Sequence, residues 1–353
     1  MEPLVGRSSS CLAQLMRDLG QPEYRARQLA AWIYRKRMTD YDAMSDLPAD
    51  LRRSLAERYV IRSAVSERAA ASKDGATKHL VRLADGLAVE CVHLPYERRV
   101  SVCLSSQVGC PVGCTFCATG MGGFARNLTA GEIVEQFLLM QDLHPNRRIT
   151  HAVFMGMGEP LLNIDNVVAA AHLLRDEVQV SARNLTISTV GIVPGIRALA
   201  DADLAVGLAL SLHAPNDAIR DRLIPSNRRW PLAEVMAAAR AYRRATGRDV
   251  TFEYLLLAGH NDSAECAREL AALLGDMPGA VNLIPYNPVE GAVAYETPSS
   301  ARVRAFRAEL EAAGRPVTQR ARRGRGASGA CGQLAGEAAG RRAPKLRASV
   351  SSR

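Results

Sequence analysis

The sequence predicts an α/β protein: a partial (β/α)6 parallel barrel, preceded by a small helical unit and a β-hairpin extension. Three observations carry this. After residue 99, six apolar runs of strand length alternate with helical segments. The first 60 residues read as short helices with start signals. Between the two regions, an Asp85-Gly86 turn signal separates a pair of strand-like runs.

Taken in order, helices are expected over 10–19, over 22–36 with Pro22 at the start, and over 48–59 after Asp46. This helical unit, residues 1–60, carries a basic cluster in which Arg25, Arg27, Arg35, Lys36 and Arg37 interleave with Tyr24, Trp32 and Tyr34, with no acid between. Such a face suits RNA, and it equally suits a solvated helix surface. Residues 61–98 form a β-rich connecting segment with strands over 77–83 and 86–94. The barrel, residues 99–337, has strands over 99–105, 149–155, 184–189, 205–212, 250–257 and 281–285. Its first long helix opens on the capping box Thr129-Ala-Gly-Glu132 and continues amphipathically through Ile133, Phe137 and Leu138. Residues 338–353 read as a basic, flexible tail.

At 353 residues, 48% hydrophobic and 23% charged, the chain has the balance of an ordinary globular protein. No run approaches the ~18 apolar residues of a membrane helix, and the first residues lack the apolar core of a signal peptide. A cytoplasmic protein without membrane contact is expected, with its 8 cysteines reduced. No heptad or spare apolar stripe calls for more than a monomer. The net charge is +9, and from Arg315 onward ten basic residues face Glu337 alone, so the excess lies in the C-terminal segment. A polyanionic partner follows from that.

Cys110-Pro-Val-Gly-Cys114-Thr-Phe-Cys117 places three thiols directly after the first barrel strand. In a reducing compartment, such spacing means metal or catalysis. Structural zinc usually takes four ligands and shows paired CxxC knuckles, which are absent here. Three cysteines suit an iron–sulfur cluster whose fourth iron stays open to an outside ligand. Gly156-Met-Gly-Glu159, Ser188, the Ser211-Leu-His213 run and Asn287 also fall at the C-terminal ends of expected strands, which in a β/α barrel is the active-site face. The flexible backbone and carboxylate of Gly156-Met-Gly-Glu159 suit a cationic ammonium, although a glycine-rich turn with a capping glutamate has the same appearance. Cys11, Cys91 and Cys266 read as small buried hydrophobes, and Glu90, on a hairpin strand, as a solvated acid.

The cysteine motif with an aromatic before its last cysteine resembles the radical S-adenosylmethionine superfamily. More closely, the segments Ser105-Ser-Gln-Val-Gly-Cys-Pro-Val-Gly-Cys-Thr-Phe-Cys-Ala-Thr-Gly120, Arg126-Asn-Leu-Thr-Ala-Gly-Glu132, Gly156-Met-Gly-Glu-Pro-Leu-Leu-Asn163, Ser211-Leu-His-Ala-Pro-Asn216, Ile284-Pro-Tyr-Asn-Pro288 and Ala330-Cys-Gly-Gln-Leu334 resemble the RlmN/Cfr family of RNA adenine methyltransferases. The similarity runs over residues 12–336. It implies a 4Fe-4S cluster on Cys110, Cys114 and Cys117, and S-adenosylmethionine, two per turnover, held by Gly158, Glu159, Ser188, Ser211, Leu212, His213 and Asn287. It implies that Cys331 carries the methyl group as S-methylcysteine, that Glu90 accepts the ring proton, and that Cys103 resolves the product through a transient disulfide with Cys331. The implied reaction is methylation of carbon 2 of adenosine in 23S rRNA and tRNA, fed by an electron donor. The chemistry is coherent: an electrophilic amidine carbon cannot attack a sulfonium methyl, whereas a thiolate can take the methyl first. Where the family commonly has an acid before its ACGQL motif, this chain has Arg323-Gly-Arg-Gly-Ala-Ser-Gly-Ala330. Two other readings stay open: methylation at carbon 8 with the same apparatus, and a non-catalytic, zinc-stabilised RNA-binding protein.

Overall fold

In the computed structural model, residues 1–289, 295–319, 328–330 and 332–334 are described. Ten strands form one sheet whose spatial order follows the chain: β1 (Val65–Ala71), β2 (Thr77–Arg82), β3 (Ala88–Pro95), β4 (Val100–Cys103), β5 (His151–Phe154), β6 (Leu185–Thr189), β7 (Gly207–Ser211), β8 (Val250–Leu256), β9 (Val281–Pro285) and β10 (Val317–Gln319). Neighbours from β1 to β4 are antiparallel. From β4 onward they are parallel, each reached through a helical crossover. The expected α/β fold is found with all six barrel strands, and the hairpin continues the same sheet.

Cross-strand partners share a sheet face, and the register separates two very different faces. On one, Leu185, Ile187, Leu208, Leu210, Phe252, Tyr254, Val281 and Leu283 are buried in the main core. Each contributes about 2 kcal/mol of burial. The other face carries Cys103, Thr186, Ser188, Ala209, Ser211, Glu253 and Asn282. A parallel sheet ordinarily reads apolar on both faces, so this small and polar face is built for something other than packing.

The helical unit comprises α1 (Ser9–Asp18), α2 (Tyr24–Ala30) and α3 (Ala49–Arg58). The helix expected over 22–36 is α only to Ala30 and then widens into a π turn, Ala31–Arg35. Trp32 and Tyr34 are buried, with Tyr34 Oη donating to the Arg7 carbonyl at 2.6 Å. Of the three interleaved aromatics, only Tyr24 is therefore an exposed ring, and Arg25 lies over it at 4.8 Å. The unit is docked on α4 (Ala130–Leu143), where Arg37 and Arg62 both pair with Asp142 and the Ser63 and Ala64 amides donate to Glu135. Gly6 approaches Gly131 so closely that a Cβ would lie 2.7 Å from its Cα.

Local signals behave as chemistry requires. Thr129 and Glu132 form the expected capping box of α4. The hairpin turns at Gly86, where φ is +83°, and the Asp85 carboxylate accepts from the Leu87 amide. Two strands of this sheet had no expectation attached to them: β1 and β10 lie at its edges and expose most of their side chains. Cys91 and Cys266 are buried as expected, but Cys11 is exposed because it lies on the outer side of α1. The tail, residues 338–353, lies outside the described residues.

Candidate active site

Beyond β4, the chain enters a short two-stranded ribbon, Gln107–Gly109 with Phe124–Asn127, that brackets the cysteine loop. Gly109 is obligatory there: φ is +78°, and a Cβ would come within 2.1 Å of the Gly123 carbonyl oxygen. Cys110 is anchored by its amide donating to that carbonyl at 2.8 Å. Cys110, Cys114 and Cys117 line one cavity of about 160 Å³ together with Gly156, Gly158, Glu159, Ser188, Ser211 and His213. Glu253 shares the wall, as do Gly332 and Leu334. The three thiols and five of the seven residues expected around them are thus brought together.

Burial pushes the Cys110 thiol up to about 12 and the Cys114 thiol well above its ordinary value, and the neighbouring thiols and Glu159 add to both. Free, these groups hold their protons, and a metal must displace them on binding. Glu159 is buried, and this desolvation raises its pKa to about 7 against the opposing amides of Val190 and Leu161, which donate to its two oxygens at 2.9 and 3.0 Å. Glu159 caps the short helix Pro160–Asn163, the turn role the sequence also allowed, and its carboxylate at the same time lines the cavity, where a cationic ligand could pair with it. His213 is kept neutral, its pKa lowered to about 3 by burial and by Arg220. Its Nδ1 accepts from the Leu255 amide at 3.0 Å, which leaves Nε2 as the ring's donor.

Asn287 does not line the cavity, but its Oδ1 is buried without a hydrogen-bond partner among the described residues. Leu212 departs further from expectation. Its side chain is in the apolar core, its amide donates to the Glu253 carbonyl, and its carbonyl accepts from Arg220, so it shapes the strand end rather than facing the cavity. Three thiols of the right donor class and a buried carboxylate on the wall of one cavity fit a cluster and a zwitterionic sulfonium ligand. Among the described residues, no three His, Cys, Asp or Glu side chains are gathered for a single ion, the geometry that the zinc reading needs.

Glu90 corrects the expectation of a solvated acid: it is 1% exposed and paired with buried Lys78 at 2.7 Å. It lies on the Val92 side of β3, and Val92 is opposite Cys103, so Glu90 and Cys103 occupy the polar face. Ser105 ties this region to the glycine loop, its hydroxyl donating to the Glu90 carbonyl at 2.6 Å and accepting from the Met157 amide at 2.8 Å. Cys331 lies outside the described residues. Its neighbours are placed against the cysteine loop: the Ala118 amide donates to the Gly332 carbonyl, and the Thr119 hydroxyl to that of Leu334.

Known proteins decide what this assembly belongs to. Residues 104–271 match the Radical SAM superfamily, and residues 3–61 match the ribosomal RNA large subunit methyltransferase N-terminal domain. The probable dual-specificity RNA methyltransferase RlmN of Symbiobacterium thermophilum is 49% identical over 337 residues, 94% of this chain and 91% of that protein. The chain belongs to the RlmN family of radical SAM RNA methyltransferases. A second RlmN, from Rhodopirellula baltica, is 48% identical over 334 residues, 94% of this chain and 90% of its own. Among solved structures, a radical SAM methyltransferase from Sphaerobacter thermophilus, 45% identical, superposes with a TM-score of 0.91 over 96% of this chain and 100% of that one. Membership of the RlmN family brings a 4Fe-4S cluster and S-adenosylmethionine with it.

Four residues of this RlmN-family site had no expectation attached to them. Gln107 receives the Glu159 amide on its Oε1 at 2.8 Å, fixing the carboxylate's backbone. Lys78 partners Glu90, Arg220 holds the Ser211 and Leu212 carbonyls, and Glu253 accepts from Asn282 at 2.8 Å. Only polar residues at alternate positions of otherwise apolar strands could have pointed to Lys78 and Glu253. Nothing local marks Gln107 or Arg220.

Proposed function

We propose that this RlmN-family chain methylates carbon 2 of adenosine in 23S rRNA and in tRNA. The single observation that carries the reading is the cavity in which the three thiols, Glu159 and the residues flanking Cys331 meet. A cluster and S-adenosylmethionine bound there supply the radical that activates a methyl group. The chain's own residues do the rest. Glu159 receives the ligand's ammonium, and Ser188, Ser211 and His213 offer hydrogen bonds along the same wall. Cys331 would accept a methyl from one S-adenosylmethionine as a thioether, with a second one supplying the activating radical at the same wall. Glu90 takes the proton from the ring carbon, and the Lys78 ammonium, 2.7 Å away, orients the carboxylate for that task. Once the methyl carbon carried by Cys331 is bonded to the ring carbon, the Cys103 thiolate would attack the Cys331 sulfur; the S–CH2 bond breaks, its electron pair stays with the methylene carbon, which takes up a proton to give methyladenosine, and the Cys103–Cys331 disulfide is left for an external thiol reductant to reopen.

RNA is supported by the exposed Tyr24 ring, with the half-buried Arg25 guanidinium over it, and by the basic C-terminal segment. No helix of the described residues is long and apolar enough to cross a membrane. The test is anaerobic turnover of reconstituted protein with labelled S-adenosylmethionine on protein-free 23S rRNA and on tRNA, with mass spectrometry of the nucleosides. The expected product is 2-methyladenosine from both RNAs. Label at carbon 8, or RNA binding without turnover by cluster-loaded protein, overturns the reading.

A further inference from the structure

Arg220 is among the largest wholly buried side chains of the described residues, and none of their carboxylates pairs with it directly. It is carried on a short helix, Asp217–Leu223. Its guanidinium donates to the carbonyls of Val190, Ser211 and Leu212 and, at 2.7 Å, to Asn227 Oδ1. Asn227 passes hydrogen bonds on to Asp217 and Asp221, so the nearest acids stand one side chain away. Burial lowers its pKa to about 10, which leaves it charged at neutral pH. A buried cation satisfied mostly by carbonyl dipoles is an expensive way to hold a loop, since an apolar side chain would pack there without a desolvation penalty.

The residues it holds explain its place. Val190 accepts from Arg220 through its carbonyl and donates to Glu159 through its amide, so the cation and the ligand-binding carboxylate share one peptide-bonded residue. Ser211 and Val190 both line the cavity that contains Cys114. The Arg220 helix also touches the cysteine loop: the Thr115 amide donates to the Leu223 carbonyl at 3.1 Å, and Leu223 packs with Cys114 and Phe116. Three thiolates outweigh the charge of a 4Fe-4S core in either oxidation state, and the reduced form is one unit more negative. Cluster potentials respond to such nearby charge.

We propose that Arg220 is a positioning residue that also serves as the buried counter-cation of the cluster, clamping the ends of β6 and β7 with its fork while its charge favours the reduced, more anionic state. This rests on the reading that Cys110, Cys114 and Cys117 hold the cluster.

The two contributions separate by substitution. Arg220→Lys keeps the charge and loses the fork, whereas Arg220→Gln loses both. After anaerobic reconstitution and iron and sulfide analysis, the midpoint potential is read by electron paramagnetic resonance during a redox titration, and S-adenosylmethionine affinity by equilibrium dialysis. Arg220→Gln is expected to show at least a tenfold lower ratio of reduced to oxidised cluster at a fixed potential, about 59 mV for one electron. Arg220→Lys is expected to retain the wild-type potential, while both bind S-adenosylmethionine several-fold more weakly. A loaded Arg220→Gln protein with the wild-type potential, or a Lys variant shifted as far as Gln, overturns the proposal. Should Arg220→Gln fail to load, Asp221→Asn decides: relief of the compensating acid moves the potential upward, and an unchanged potential overturns the proposal. Wild-type protein that takes up no cluster sinks the underlying reading instead.

Discussion

Replacing Lys78 by Met keeps the aliphatic stem and removes the charge that faces Glu90 in the interior. The pair is 2.7 Å apart, with side chains only 9% and 2% exposed. At an effective dielectric of about 20, the gross attraction at that distance is ~6 kcal/mol. Loss of the lysine's own desolvation penalty offsets part of this, and truncation of a buried pair typically costs about 3–5 kcal/mol. Urea denaturation of the cluster-free protein, followed by circular dichroism, should show a deficit of that size. The double variant Lys78→Met/Glu90→Gln should recover most of it. A deficit below ~1 kcal/mol, or no recovery in the double variant, would refute the assignment of a buried ion pair.

The raised pKa of Glu159, about 7, predicts that cluster-loaded protein loses S-adenosylmethionine affinity as pH falls through neutrality, because the protonated acid no longer attracts an ammonium. Glu159→Gln should bind weakly at every pH, by about 1.5–3 kcal/mol or roughly 10–100-fold, and equilibrium dialysis that finds the wild-type pH profile in this variant contradicts the role. Gly158→Ala should disturb the same loop, since φ there is +100° and a Cβ would sit 2.6 Å from that of Gln107; a cost of about 1–3 kcal/mol in thermal unfolding is expected, together with weakened ligand binding. For the two thiols, Cys103→Ala should trap a covalent RNA–protein species visible on denaturing gels, whereas Cys331→Ala should form none. Equal inactivity without an adduct in Cys103→Ala would separate Cys103 from product release.

What the sequence by itself determined is local. Capping at Thr129 and Glu132, the Asp85-Gly86 turn, the six barrel strands and the spacing of Cys110, Cys114 and Cys117 depend on residues within a few positions of one another, and each has the expected form in the structure. Because every motif was assigned to the C-terminal end of a strand, convergence on one face followed from barrel geometry alone. Edge strands β1 and β10 were illegible because their side chains are largely exposed and so lack an alternating apolar signature. Trp32 and Tyr34 read as part of a face suited equally to RNA or to solvent, but the docking of α1–α3 buries them, a decision made by residues at the other end of the unit such as Arg7. Glu90 shows the difference most clearly. Only the antiparallel register that lays β2 against β3 brings Lys78 to it, and only burial against the rest of the sheet makes that pair strong rather than negligible. Arg220 likewise gains its meaning from carbonyls that accept its hydrogen bonds at the ends of β6 and β7, which the chain reaches separately. Propensity and spacing act over a few residues, whereas dielectric, register and charge compensation depend on what the whole chain brings alongside, and it was the tertiary structure that decided them.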